Sequence, residues 1–99
     1  MLARVDFYAD TEGGDYVEDP GYDEVLSLVK GLNTTNNTFM VLYPSDHDLE
    51  WFISVATSRG PFGGYEIERL DPNSGENTKT VSAAPSQIAT DVLSWVTRR

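Results

Sequence analysis

The sequence predicts an α+β domain. It is an antiparallel sheet of about five strands, in the order β-α-β-β-β-β-α, with two helices packed on one face. Three observations carry this reading. Two segments repeat apolar residues at spacings of three and four, as amphipathic helices do. Several short segments alternate or run apolar over strand lengths. Turn-rich connections separate the later strands, too short for the crossovers a parallel sheet needs.

The elements follow in chain order. From Leu2 to Tyr8, the residues Ala3, Val5 and Phe7 alternate with Arg4 and Asp6, the pattern of a strand with one buried face. Ala9 to Asp19 carries Thr11, Glu12, Gly13, Gly14 and Asp15 with little apolar content, and reads as a loop or a frayed hairpin. Asp19-Pro20 reads as a helix start, with Asp at the N-cap, Pro at the first helical position, and Asp23 and Glu24 facing the positive end of the dipole. Tyr22, Val25, Leu26, Val29 and Leu32 form its apolar stripe, and Asn33 closes it before a polar loop.

Thr38 to Tyr43 is apolar on both faces, which predicts a central, well-covered strand. Pro44 to Asp48 is a turn. Leu49 to Thr57 then alternates, with Leu49, Trp51, Ile53 and Val55 on one side and Glu50, Phe52, Ser54 and Ala56 on the other. These two strands form a hairpin. Gly60 to Gly64 turns the chain into a strand from Tyr65 to Leu70, Asp71 to Gly75 turns it again, and Thr78 to Ser82 makes a short edge strand. Pro85 to Arg99 is the second helix, burying Ile88, Ala89, Val92, Leu93, Trp95 and Val96, with Arg98 and Arg99 at the negative end of its dipole.

Residues 1–99 make a single domain, and 39% hydrophobic residues suffice for its core. The chain has no cysteine, which excludes disulfides, thiolate zinc sites and a cysteine nucleophile. No basic region followed by an apolar run opens the sequence, and no stretch approaches the roughly 18 apolar residues of a membrane span. A cytoplasmic location without membrane contact is the expectation.

Charge carries the most functional information. The net charge is −9, and it is lopsided: residues 1–50 hold eleven acids and two bases, residues 51–99 five of each. Nucleic acids and anionic membranes need cationic side chains to neutralise phosphate, so direct binding of either is not expected. A basic protein is the partner this field favours. Asp10, Glu12, Asp15, Glu18, Asp19, Asp23 and Glu24 fall within fifteen residues with no base among them. Asp19, Asp23 and Glu24 suit a helix start; the other four suit the steering of a basic partner.

Catalytic and metal chemistry find little purchase. The one histidine, His47, sits in a turn between Asp46 and Asp48 with only Glu50 nearby, and lacks a rigid nucleophile or second acid. Asp10, Glu12 and Asp15 fail the calcium-loop spacing, because the sixth position from Asp10 is Asp15 and not Gly. Gly13-Gly14 and Gly60 to Gly64 adjoin no helix N-terminus and are turns, not phosphate cradles. No catalytic residue, metal or cofactor is expected. The candidate partner-binding residues are Asp10, Glu12, Asp15, Tyr16 and Glu18 in the first acidic segment, Asp46, Asp48 and Glu50 in the hairpin turn, and Phe62 between Pro61 and Gly63.

The assembled pattern resembles immunity protein family one of bacterial polymorphic toxin systems. The likeness rests on Asp19-Pro20 opening a helix with Val25, Leu28 and Leu32, then on Phe39-Met40-Val41-Leu42 and Leu49-Glu50-Trp51-Phe52-Ile53-Ser54. It continues through Gly63-Gly64-Tyr65-Glu66-Ile67 and a last helix with Ala89, Val92 and Trp95. The resemblance implies a non-catalytic cytoplasmic protein, monomeric alone or 1:1 with a cognate basic toxin such as a nuclease or deaminase, whose active site it occludes. The alternative is an acidic structural or regulatory module that self-associates through a sheet edge or binds another protein.

Overall fold

A computed structural model describes residues 5–58 and 63–99. Eight elements follow in order: β1 (Phe7–Thr11), β2 (Tyr16–Glu18), α1 (Tyr22–Lys30), β3 (Phe39–Pro44), β4 (Phe52–Thr57), β5 (Tyr65–Asp71), β6 (Glu76–Ser82) and α2 (Pro85–Thr97). The six strands form one sheet in the order β2-β1-β3-β4-β5-β6, with every neighbouring pair antiparallel. The α+β class and the antiparallel sheet agree with the sequence reading. The additional strand is β2, the return arm of the segment read as a loop or frayed hairpin. Gly14, at φ 102, supplies the left-handed turn residue between its arms.

One face of the sheet holds the core. Ala9 of β1, Met40 and Leu42 of β3, Ile53 and Val55 of β4, and Ile67 of β5 are all 3% exposed or less. They join Val25 and Val29 of α1 and Ile88, Ala89, Val92, Trp95 and Val96 of α2 in a single apolar cluster. Strand side chains alternate, so residues of one parity are buried and their neighbours point away. Both helices therefore cover the same face, where they also pack on each other. Neither is long and apolar enough to cross a membrane.

Several boundaries differ from the sequence reading, each for a local reason. The α1 N-cap is Gly21, not Asp19, and the Gly21 N–H donates to Glu24 Oε1 at 3.0 Å. Asp19 is instead a left-handed turn residue (φ 45), and its Oδ1 accepts from the N–H groups of Asp6 and Phe7 at 3.0 and 3.2 Å. Tyr22, expected in the apolar stripe, is exposed at the first turn. The helix ends at Gly31, while Asn33 Oδ1 accepts from the N–H groups of Thr35, Asn36 and Asn37 and so shapes the following loop. Leu49 lies in a turn closed by its own N–H donating to the Asp46 carbonyl, so β4 starts only at Phe52 and Leu49 is exposed.

The largest departure concerns β3. It is central, as expected, but it is covered on one face only: among the described residues no helix lies over Phe39, Val41 and Tyr43, and Phe39 is 41% exposed. The apolar run is real. What it meets on its second face is solvent.

The C-terminus is tied down by a compact polar bracket. Arg99 pairs with Asp71 (2.5 Å) and reaches Glu76 (3.6 Å), and its guanidinium lies 3.9 Å from the Trp95 ring centroid. Trp95 Nε1–H donates to Glu76 at 2.9 Å, and Trp95 meets Trp51 edge-on. This joins the end of α2 to the β5–β6 turn. The Arg99 hydrogen bond holds the Asp71 carboxyl below its ordinary range. A depressed folded-state pKa stabilises fully above the unfolded value and is lost as pH falls through the folded one. Arg99→Ala should lower stability by about 1–2 kcal/mol near neutral pH. Denaturant titrations should show the gap between wild type and variant closing as pH drops below about 4.

Candidate functional site

The helix-free face of the sheet is the surface built from residues of the uncovered parity. Antiparallel register fixes its rows. Across β2, β1 and β3, Tyr16 and Glu18 stand beside Asp10 and Tyr8, which stand beside Val41 and Tyr43. On β4 and β5, Ala56, Ser54 and Phe52 face Glu66, Glu68 and Leu70, and β6 adds Val81, Lys79 and Asn77. The face thus carries an aromatic and apolar band with carboxylates at Asp10, Glu18, Glu66 and Glu68. Lys79 is its one cation among the described residues.

The tyrosines form a chain. Tyr8 lies 5.4 Å from Tyr16 on one side and 5.4 Å from Tyr43 on the other, both tilted. Tyr16 hydroxyl donates to Glu18 Oε2 at 3.2 Å. Partial desolvation, and then the nearby Glu18, push the Tyr16 phenol above its usual range, and burial followed by Asp10 does the same to Tyr43. Both stay neutral donors through the physiological range. Rings of this kind give large contact area with a polar tip, at small cost in side-chain entropy.

Next to the tyrosines a trough of about 410 Å³ is lined by Phe39, Val41 and Tyr43 of β3, Phe52, Ser54 and Ala56 of β4, and Glu68 of β5. Its cause is legible in side-chain size. Ser54 and Ala56 are short, and the residues beside them on β3 are long, so the middle of the sheet is lower than its flank.

The predicted partner-binding residues divide into three groups. Asp10, Tyr16 and Glu18 lie together on the helix-free face. Glu12 and Asp15 sit in the β1–β2 turn and are occupied within the chain. Glu12 Oε1 accepts from the Thr38 N–H at 2.9 Å and from its hydroxyl at 2.8 Å, contacts that hold the carboxyl below its usual range. The Thr11 hydroxyl donates to Asp15 Oδ2 at 3.4 Å, and the Asp15 N–H donates to Thr11 Oγ1 at 3.0 Å. Asp46, Asp48 and Glu50 are exposed at the β3–β4 connection, which leaves β3 beyond Pro44, whereas the β1–β2 turn lies beside Met40. The two acidic patches are therefore at opposite ends of β3, roughly 15–20 Å apart at the usual rise per residue. Phe62 lies outside the described residues.

Sequence reasoning missed Val41, Tyr43, Phe52 and Glu68 as residues of this surface. The usable signal was the small pair Ser54 and Ala56 opposite Phe39 and Val41, a size step that a doubly covered strand would not leave empty.

Other concavities offer less chemistry. One of about 570 Å³ lies beside the C-terminal bracket and combines Val5, Phe7, Leu49 and Trp51 with Asp6, Ser45, Asp46 and Arg99. Its one cation, Arg99, is already engaged by Asp71 and Glu76. The Trp51 indole N–H is sealed within the protein with no hydrogen-bond partner. Among the described residues no three His, Asp or Glu side chains converge as a metal cluster. Compared with protein families, curated proteins and solved structures, the chain matches none.

The role of Asp19 as a clasp generates a stability test. Asp tolerates the left-handed region better than most residues, and Asn keeps both that tolerance and the Oδ1 acceptor. Asp19→Ala should cost roughly 1–2 kcal/mol, from strain plus two lost hydrogen bonds. Asp19→Asn should cost less than half of that, both read from denaturant midpoints.

Proposed function

We propose that this chain is an immunity protein that binds a cognate basic toxin and neutralises it by covering its active site. The observation that carries the reading is the helix-free face: an aromatic and apolar band, open to solvent, rimmed by Asp10, Glu18, Glu66 and Glu68. Monomeric proteins seldom leave such a band uncovered without a use for it. Apolar area supplies the affinity, and the carboxylate rim selects a cationic partner and speeds its arrival. A toxin that acts on nucleic acid has a groove built for phosphates, and a ridge of carboxylates fits that groove electrostatically. The domain itself performs no chemistry in this reading. Its partner is a protein, bound 1:1 in the cytoplasm.

The reading moves the contact surface from the acidic loop to the sheet. Co-expression with its cognate toxin should restore growth and yield a 1:1 complex. Asp10→Lys with Glu18→Lys should slow association at low salt at least tenfold and flatten its salt dependence. Phe52→Ala should mainly speed dissociation. Unprotected cells, or kinetics indifferent to these changes, would reject the reading.

A second reading, a module that self-associates through a sheet edge, is favoured by β6. This seven-residue edge strand has no Pro, and Glu76 and Lys79 cancel in charge. Its outer hydrogen-bonding edge has no partner strand among the described residues, and Val81 is 71% exposed. Edge strands usually carry stronger protection. The opposite edge, β2, has three residues and is flanked by Asp15 and Asp19. In sedimentation over a concentration series without toxin, a dimer lost on Thr78→Asp with Thr80→Asp would establish this reading. A monomer at all concentrations would dismiss it.

A further inference from the structure

We infer that the trough over β4 is a receptor for one arginine side chain of a protein partner. The inference rests on the protein-binding reading of this face and names the group at its centre.

The occupant follows from the walls. Phe39, Val41 and Tyr43 line one side, Phe52 adds a ring, and Ser54 and Ala56 leave the floor low. The remaining lining residue, Glu68, is the only charged one. In register it stands on the same row as Val41 and Ser54, so the carboxylate lies directly across the strand from the apolar side. Glu68 is half-buried, and among the described residues no hydrogen bond or ion pair engages it. Lys79, its neighbour on β6, forms no ion pair with it. A half-desolvated, unpaired carboxylate at the border of an apolar trough is an unmet electrostatic demand.

A long aliphatic stem with a cationic head satisfies both parts of the site. The methylenes of the side chain lie against Val41 and the rings, and the head reaches Glu68. Arginine fits better than lysine for two reasons. Its planar guanidinium stacks on an aromatic face, here Tyr43 or Phe52, and it forks onto a carboxylate with two parallel hydrogen bonds. It also sheds water more readily than an ammonium group. An anionic or purely apolar side chain leaves Glu68 repelled or unpaired. The surrounding Asp10, Glu18 and Glu66 reinforce the choice of sign.

The experiment needs no toxin. Blocked pentapeptides Gly-Val-X-Val-Gly, with X as arginine, lysine, citrulline or norleucine, are titrated into the isotopically labelled full chain and followed by NMR. Citrulline keeps the shape of arginine without its charge. The arginine peptide should give saturable shifts centred on Val41, Tyr43, Phe52, Ser54 and Glu68, at least fivefold tighter than citrulline and tighter than lysine. Glu68→Gln should reduce the arginine peptide to the citrulline level, and Ser54→Leu, which fills the trough, should abolish the response. Asp91→Asn, an exposed carboxylate on α2 at the opposite face of the sheet, should leave affinity within twofold. Each variant is used with its spectrum unchanged away from the substitution.

Equal binding of arginine and citrulline, shifts centred on β1 and β2, no saturable shifts at all, or indifference to Glu68→Gln each overturn the inference. The outcomes separate from those of the immunity reading. Trough binding of arginine with no protection from a toxin leaves this inference standing and removes that function. Protection by a protein whose Glu68→Gln variant takes the arginine peptide unchanged does the reverse.

Discussion

Two helices, of nine and thirteen residues, must bury the apolar side of a six-stranded sheet, and they suffice for one face. Nearly everything else in the molecule follows from that coverage. Alternation along each strand assigns every second side chain to the core and its neighbour to the far side. The core then takes Met40, Leu42, Ile53, Val55 and Ile67, with no freedom to use Phe39, Val41, Tyr43 or Phe52. A one-residue slip in register would exchange the two sets, so the dense, aliphatic core residues specify which face the helices meet. The aromatic set is left outside by the same rule.

The acidity of the chain divides into carboxylates that build and carboxylates that are free. Asp19 clasps the start of β1, Glu24 caps α1, Glu12 ties the β1–β2 turn to Thr38, and Asp71 holds Arg99. Each satisfies backbone donors or a cation that would otherwise be left without a partner, and none needs a second protein to explain it. Asp10, Glu66 and Glu68 have no such task. They stand on the sheet face, where they repel one another and remain solvated only while the face is open. Hydrogen bonding leaves these carboxylates charged, so the net charge of −9 still sets the field, but density along the sequence misplaces the acids free to meet a partner toward the loop.

The architecture was legible because periodicity is a local property. Strand and helix spacing, the Asp71 to Gly75 turn and Pro85 at the start of α2 each announce themselves within a few residues. The helix cap was misplaced because Asp19 and Gly21 are both good caps, and only the distant N–H groups of Asp6 and Phe7 decide between them. The coverage of β3 was hidden for a deeper reason. A strand apolar on both sides looks the same whether its second face meets a helix or solvent, and the count of helices available to cover it is a property of the whole chain. The candidate acidic residues were located by charge density alone, so those already engaged in hydrogen bonds could not be told from those that are free.

Open apolar faces invite indiscriminate association, and the composition of this one works against it. Tyr8, Tyr16 and Tyr43 bring rings with polar tips beside the apolar Phe39, Val41 and Phe52, which keeps contact area high while lowering the drive toward non-specific collapse. The rim of Asp10, Glu18, Glu66 and Glu68 would set like charge against like were two copies to meet face to face, which in the proposed reading favours a cationic surface over a second copy. The β6 edge lacks that defence, since Glu76 and Lys79 cancel. In the proposed reading specificity comes as much from what the carboxylates exclude as from what the rings attract, and the two meet where the apolar residues of β3 and β4 border Glu68 of β5.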